Sequence, residues 1–213
     1  MIHAFDATDL TLFSIKEPFI EEEISRLKDG FIFIDCGAHV GKYTLMAAGL
    51  DRGGKIVAIE PESCNFDRLK YNILLNGLTN IILGRFALAN KDGRVRLLIQ
   101  TESGYHSIVK LSLHSVDVPS RTLDSIIQEL ETPKVDLVKI DVEGAEYAVL
   151  IGGLRSLKMG LIRKIFVEVG DSTHNCDKII QLLRSCGFLC TRTSLTANWH
   201  FVLGVHKFEV RDG

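Results

Sequence analysis

FIFIDCGAHVGKYTL, residues 31–45, decides the fold. Residues 31–35 are apolar except for Asp35, with β-branched Ile32 and Ile34, and read as a short buried strand. Gly37 and Gly41 follow, where the backbone can turn tightly and approach a ligand closely. Residues 41–50 then read as a helix ending in Gly49. A strand that runs through a glycine turn straight into a helix opens a β–α unit.

The same alternation continues outward. KIVAIE (55–60) is a second strand, and 62–76 is an amphipathic helix stopped by Gly77. NIILGRFAL (80–88) and RVRLLIQ (94–100) read as strands joined by a turn at Asp92-Gly93. Residues 101–121 show no period and read as a loop, and 122–131 as a helix. VDLVKID (135–141) is a strand, followed by a helix near 145–157, a strand at 164–169 and a helix at 175–186. FLCTRT (188–193) and HFVLGVHKF (200–208) are the last strands, close enough in sequence to form an antiparallel hairpin. Before all of these, 17–28 reads as a surface helix with Pro18 in its first turn. Strands alternating with helices imply parallel pairing through right-handed crossovers, and apolar strands imply a sheet covered on both faces. The expected fold is a three-layer α/β/α sandwich with a mainly parallel sheet.

The bulk properties agree. The 213 residues are 46% hydrophobic and 24% charged, which excludes a disordered chain. Lys and Arg number 25 against 27 Asp and Glu, a net charge of −2. That balance argues against a dedicated nucleic-acid binder without excluding a nucleic-acid substrate. No apolar run approaches the about 20 residues a bilayer span needs, and the N-terminus lacks the basic start of a signal peptide. Five cysteines with no CxxC pair argue against a disulfide framework or a structural zinc site. A cytoplasmic protein with reduced thiols is expected. The sequence carries no signal for oligomeric state.

Ligands of open α/β sheets bind at the carboxyl ends of strands, where strand order reverses. Asp35-Cys36-Gly37-Ala38-His39-Val40-Gly41 ends the first strand, and the amides opening the next helix point to the same place. Glu60-Pro61 ends the second, with Glu60 placed to accept the hydroxyls of a ribose. Three nucleoside ligands compete. A dinucleotide site prefers G-x-G-x-x-G, whereas here the pattern is Gly37-x-x-x-Gly41. A P-loop needs G-x-x-x-x-G-K-[ST]. Gly41-Lys42 is present, but the first glycine lies one residue too close and Tyr43 replaces the hydroxyl. S-adenosylmethionine has no phosphate and carries an ammonium and a sulfonium. Asp35 repels the first two ligands and suits the third.

With these residues in view, the chain resembles the class I S-adenosylmethionine-dependent methyltransferases, and among them the FkbM type. The resemblance rests on FIDCGAHVGKYTL (33–45), IVAIEPE (56–62), NILLNG (72–77), VPSRTLDSI (118–126), FVEV (166–169) and above all VKIDVEGAEYAVLIG (138–152). It implies a Rossmann-like sheet of seven strands and methyl transfer, commonly to a hydroxyl of a sugar or other small metabolite. It also implies that Asp35, Gly37, Ala38 and Gly41 line the methionine half of the cofactor, with His39 and Thr44 nearby. Glu60 would hold the ribose, Pro61, Phe86 and Ala87 would flank the adenine, and Asp141 would face the sulfonium and the acceptor. One domain over 1–213 is expected, with 1–29 a helical extension and 30–213 the core.

A hydroxyl acceptor needs a base as well as orientation. The candidates are Asp141, Glu143, Glu146 and Glu168, with Asp141 as base or acceptor-positioning group assisted by Glu168. For Glu143, and still more for Glu146, the competing reading is favourable charge at the start of the helix near Gly144. No metal site is assigned, although Asp141 and Glu168 as oxygen ligands of a divalent ion form an alternative. His39 reads as a hydrogen-bonding loop residue rather than a catalyst, and His106 as a surface residue or, less simply, a base. His174 and Cys176 suggest a helix start rather than a metal pair. Trp199, Phe201 and Phe208 read as core. Three classes remain for the protein: an O-methyltransferase acting on a small molecule, an RNA or protein methyltransferase, and a non-catalytic nucleoside-binding or NAD-dependent protein.

Overall fold

A computed structural model describes residues 17–99, 114–132, 134–170, 173–194 and 199–210. Among the described residues there are ten strands: β1 (Ile32–Cys36), β2 (Lys55–Ile59), β3 (Ile81–Gly84), β4 (Ala87–Leu88), β5 (Gly93–Ile99), β6 (His114–Arg121), β7 (Val135–Ile140), β8 (Ile162–Gly170), β9 (Phe188–Ser194) and β10 (Trp199–His206). The α-helices are α1 (Pro18–Ser25), α2 (Lys42–Ala48), α3 (Ser63–Leu75), α4 (Leu123–Glu129), α5 (Glu146–Gly152), α6 (Leu154–Lys158) and α7 (Thr173–Ser185).

Seven strands form the main sheet in the order β3-β2-β1-β7-β8-β10-β9. β10 alone runs against its neighbours, so β9 and β10 make the expected C-terminal hairpin. The chain leaves β1 outward through β2 and β3, then returns to place β7 on the other flank of β1. Strand order therefore reverses between β1 and β7, and a crevice opens beyond their carboxyl ends.

Side chains alternate between two layers because successive strand residues point to opposite faces. Ile34, Val57, Val138, Ile165 and Val167 face α4–α7 and pack on Leu123, Val149, Leu157 and Ile179. Phe33, Ile56, Leu137, Phe166 and Phe201 face the other way, onto Ile20 and Ile24 of α1 and Tyr43 and Ala47 of α2. Polar contacts pin α1 against this face: Lys164 pairs with buried Glu23 at 2.6 Å, and Arg52 donates to the carbonyls of Ser25 and Leu27 at its C-terminus. Helix starts follow their caps. Glu62 accepts from Asn65 N at 2.8 Å to open α3, and Thr122 accepts from Ser125 N at 3.1 Å to open α4.

The structure corrects the sequence reading in four places. Residues 80–88 are two strands in two different sheets, because the chain bends at Phe86, whose ring packs against Gly84 at the end of β3. Residues 114–121, read as loop, form β6. β6 pairs antiparallel with β5 and parallel with β4, giving a second sheet ordered β4-β6-β5. β6 lacks a visible period because Pro119 and charged residues interrupt a ribbon that is mostly exposed. The helix near 145–157 is two short helices that break at Gly153. Phe201 is buried as expected, whereas Phe208 is 61% exposed. Among the described residues no helix is long and apolar enough to cross a membrane.

Candidate active site

Register places the crevice. Asp35 of β1 pairs with Lys139 of β7, and Cys36 with Ile140, so Gly37 is level with Asp141 just beyond the strand ends. Asp141 N donates to Cys36 O at 3.1 Å and closes this junction. Gly37 has φ +79°, and a Cβ built there would lie 1.8 Å from Asp141 O, so only glycine fits. Gly41, at φ +103°, starts α2 and packs on the Leu69 side chain.

A cleft lies over this junction, open to solvent on one side. The loop after β1 contributes Gly37 and His39, the end of β2 contributes Glu60 and Pro61, and β4 contributes Ala87 and Leu88. Asp141, Val142 and Glu143 supply the β7 side, and Asn65, Leu97 and Ala145 complete the wall. Of the expected site residues, Gly37, His39, Glu60, Pro61, Ala87, Asp141 and Glu143 thus come together. Asp35, Ala38, Gly41, Thr44, Phe86 and Glu168 are not among the lining residues.

Glu60 ties two strand ends together. Its Oε2 accepts from His39 N at 3.0 Å and its Oε1 from Glu62 N at 2.9 Å. Burial pushes its pKa up to about 8, partly offset by those two amides. Each oxygen keeps a second lone pair for another donor. His39 adopts φ 50°, and it is its backbone amide that holds Glu60.

Asp35 lies beneath the cleft floor, fully buried. Its Oδ2 accepts from Thr44 Oγ1 at 2.7 Å, and Lys139 Nζ stands 3.6 Å from its Oδ1. Burial raises the Asp35 pKa, with Lys139 and Thr44 opposing. Lys139 itself is fully enclosed, 3.1 Å from Asp141 Oδ2. Burial disfavours its charge, but Asp141, Asp35 and Glu168 outweigh that and hold its pKa above the ordinary lysine value. Sequence reasoning missed Lys139. The available signal was a lysine inside the apolar run VDLVKI, a position lysine rarely takes without a partner.

Glu168 sits beside Asp141, one step past the last paired residues of β7 and β8, Ile140 with Val167. Burial raises its pKa well above the ordinary carboxylate value, and Asp141 and Glu17 add to this while Lys139 opposes it. Glu17, just before α1, reaches the same region and pairs with Lys42 at 3.5 Å. Glu146 Oε1 instead accepts from Gly144 N at 2.7 Å, so this carboxylate holds the turn that opens α5. Cys176 is buried in the core. His106 and the His174 side chain lie outside the described residues. Among those described, no set of three or more His, Cys, Asp or Glu residues is placed to hold a metal ion.

The lining fits S-adenosylmethionine. Three carboxylates, Glu60, Asp141 and Glu143, line the cleft, and no lysine or arginine does among the described residues. A pyrophosphate or triphosphate would be repelled there, whereas a ligand bearing an ammonium, a sulfonium and a ribose would be complemented. The negative lining that the sequence reading placed at Asp35 is carried by Asp141 and Glu143.

A seven-stranded sheet with one reversed strand and a nucleoside cleft at the β1/β7 switch point defines a class I, Rossmann-like methyltransferase. Residues 35–190 match the methyltransferase FkbM domain, and the chain belongs to that family. It is 28% identical over 197 residues to Methyltransferase 1 of Beauveria bassiana, covering 81% of this chain and 79% of that one. It is 25% identical over 191 residues to the hexuronic acid methyltransferase AglP of Haloferax volcanii, covering 86% and 76%. Among solved structures, SMU.1697c of Streptococcus mutans in complex with S-adenosylhomocysteine superposes with a TM-score of 0.57 at 11% identity, covering 90% and 98%. The protein is an S-adenosylmethionine-dependent methyltransferase. Ribosomal RNA methylases share the fold, so the fold alone does not select the acceptor.

Proposed function

We propose that the protein methylates a hydroxyl of a small molecule, a sugar being the leading class. The observation that carries this reading is the juxtaposition of Asp141 and Glu168 on neighbouring strand ends, beside a cleft lined by carboxylates. A hydroxyl acceptor needs a proton acceptor close to the donor, and a polyanionic acceptor such as RNA would meet repulsion here. The relative that methylates a hexuronic acid supports a sugar acceptor.

The cofactor supplies an activated methyl carbon for in-line displacement. Glu60 accepts the ribose hydroxyls, and Gly37, His39, Pro61 and Ala87 shape the donor pocket. Asp141 Oδ2 is engaged by Lys139, which leaves Oδ1 to accept the acceptor hydroxyl and orient it. Glu168, whose pKa burial raises above the ordinary carboxylate value, takes the proton. Glu143 lines the acceptor side and excludes anionic groups.

The test offers methyl-labelled S-adenosylmethionine to a panel of glycosides and hydroxylated metabolites, to total RNA and to protein. Alkali-stable label in a small molecule supports the reading, and label confined to RNA or protein overturns it. Glu168→Gln should lower kcat at least a hundredfold with S-adenosylhomocysteine affinity nearly unchanged. Undiminished turnover in Asp141→Asn and Glu168→Gln would remove both assignments.

A further inference from the structure

Lys139 is the most enclosed cation of the described structure's site region, and its contacts go to both walls of the cleft. Its Nζ lies 3.1 Å from Asp141 Oδ2, 3.5 Å from Gly37 O and 3.6 Å from Asp35 Oδ1. Gly37 and Asp141 line the cleft from opposite strands, and Asp35 lies below. The Tyr43 ring forms a platform, with its centroid 5.1 Å from Nζ.

We propose that Lys139 is a positioning residue of the donor site: its single ammonium clamps the loop after β1 to the end of β7 and so sets the shape that binds the cofactor. The inference rests on the cofactor assignment of the cleft and is independent of the acceptor.

Two features separate this from a merely structural lysine that neutralises Asp35. The nearer carboxylate is that of Asp141, at the rim, and not that of Asp35, in the core. Asp35 already has a hydrogen bond from Thr44, whereas among the described residues it is Lys139 that donates to the Asp141 side chain.

The experiment measures S-adenosylhomocysteine binding by calorimetry and Tm without ligand. The proteins are the wild type, Lys139→Met, Asp35→Asn and the double variant Lys139→Met/Asp35→Asn. Lys139→Met should lose several degrees of Tm and bind at least tenfold more weakly. The double variant removes both buried charges, so its Tm should recover while its affinity stays at least tenfold below wild type and below Asp35→Asn. Affinity that recovers together with Tm, or that matches Asp35→Asn, shows a role in neutralisation only and overturns the proposal. Where a variant fails to fold, the lysine ¹⁵Nζ spectrum of the wild type decides. The Lys139 ammonium resonance should shift on saturation with S-adenosylhomocysteine, and an unmoved resonance overturns the proposal. A wild type that binds no S-adenosylhomocysteine would overturn the cofactor assignment itself, which the wild-type titration reports separately.

Discussion

Gly37 and Asp141 meet backbone to backbone: a Cβ on Gly37 would stand 1.8 Å from Asp141 O. The two walls of the cofactor cleft are in contact at this point. Gly37 also holds φ +79°, so a side chain is opposed both by strain and by space.

Gly37→Ala should therefore destabilise by about 4 kcal/mol or more, the range reached when strain and a backbone clash combine. Gly30 gives the contrast. It too has positive φ, at +73°, but nothing lies within 4 Å of a Cβ there. Gly30→Ala should cost only the left-handed backbone strain, about 1–2 kcal/mol. Urea unfolding of the two variants measures the difference, and equal losses would contradict the contact at Gly37.

Glu60 predicts a pH dependence. Its pKa is about 8 in the folded protein against an ordinary 4.5. Between these values the folded chain holds a proton that the unfolded chain has lost. Its contribution to stability is therefore present below pH 4.5 and is lost as pH rises through about 8. Tm of the wild type should fall across this window more steeply than Tm of Glu60→Gln.

The same carboxylate bears on binding. Ribose hydroxyls donate best to ionised Glu60, so S-adenosylhomocysteine binding near neutral pH should release a proton, and binding at pH well above about 8 should release little. Calorimetry in buffers of different ionisation enthalpy reads this release. Glu60→Ala should weaken binding by about tenfold to a hundredfold, from loss of charge-assisted bonds worth about 1.5–3 kcal/mol.

Thr44→Val tests the floor beneath the cleft. It removes the 2.7 Å bond to fully buried Asp35 while keeping the shape. The expected loss is about 2–3 kcal/mol, because one oxygen of a buried carboxylate loses its donor. The Asp35 pKa should rise further, since Thr44 is among the groups holding it down. Chemical denaturation at two pH values checks both effects, and stability equal to wild type would place the carboxylate elsewhere.

Tyr43 carries a buried hydroxyl that meets no hydrogen-bond partner among the described residues. Its ring lies under Lys42 at 4.8 Å and Lys139 at 5.1 Å, contacts that phenylalanine would keep. Tyr43→Phe should then leave the ligand-free protein as stable as wild type, or more stable by up to about 1 kcal/mol. A Tm several degrees lower would show that the hydroxyl has a partner.

Much of the fold was legible from periodicity. The strand at 31–35, the strand at 135–141 and the helix between Glu62 and Gly77 all carry an apolar pattern that serves one layer of a covered sheet. The small sheet was harder to see. β4 has only Ala87 and Leu88, and β6 holds Pro119 and alternates little, since most of it is exposed. Such strands exist because of what they pair with, and pairing is not a property of the local sequence.

The amino-acid sequence by itself determined that acids and glycines close the ends of parallel strands, and so that a cationic, ribose-bearing ligand suits the chain. Only the tertiary structure decided which acids meet it. Asp35 and Asp141 look equivalent in sequence, each ending an apolar strand. Register separates them: Asp35 is level with Lys139, two residues below Asp141, or roughly 7 Å deeper at about 3.3 Å per residue. At that depth water is excluded and a carboxylate needs a buried cation. At the rim the same group lines the cleft, with one oxygen on the lysine.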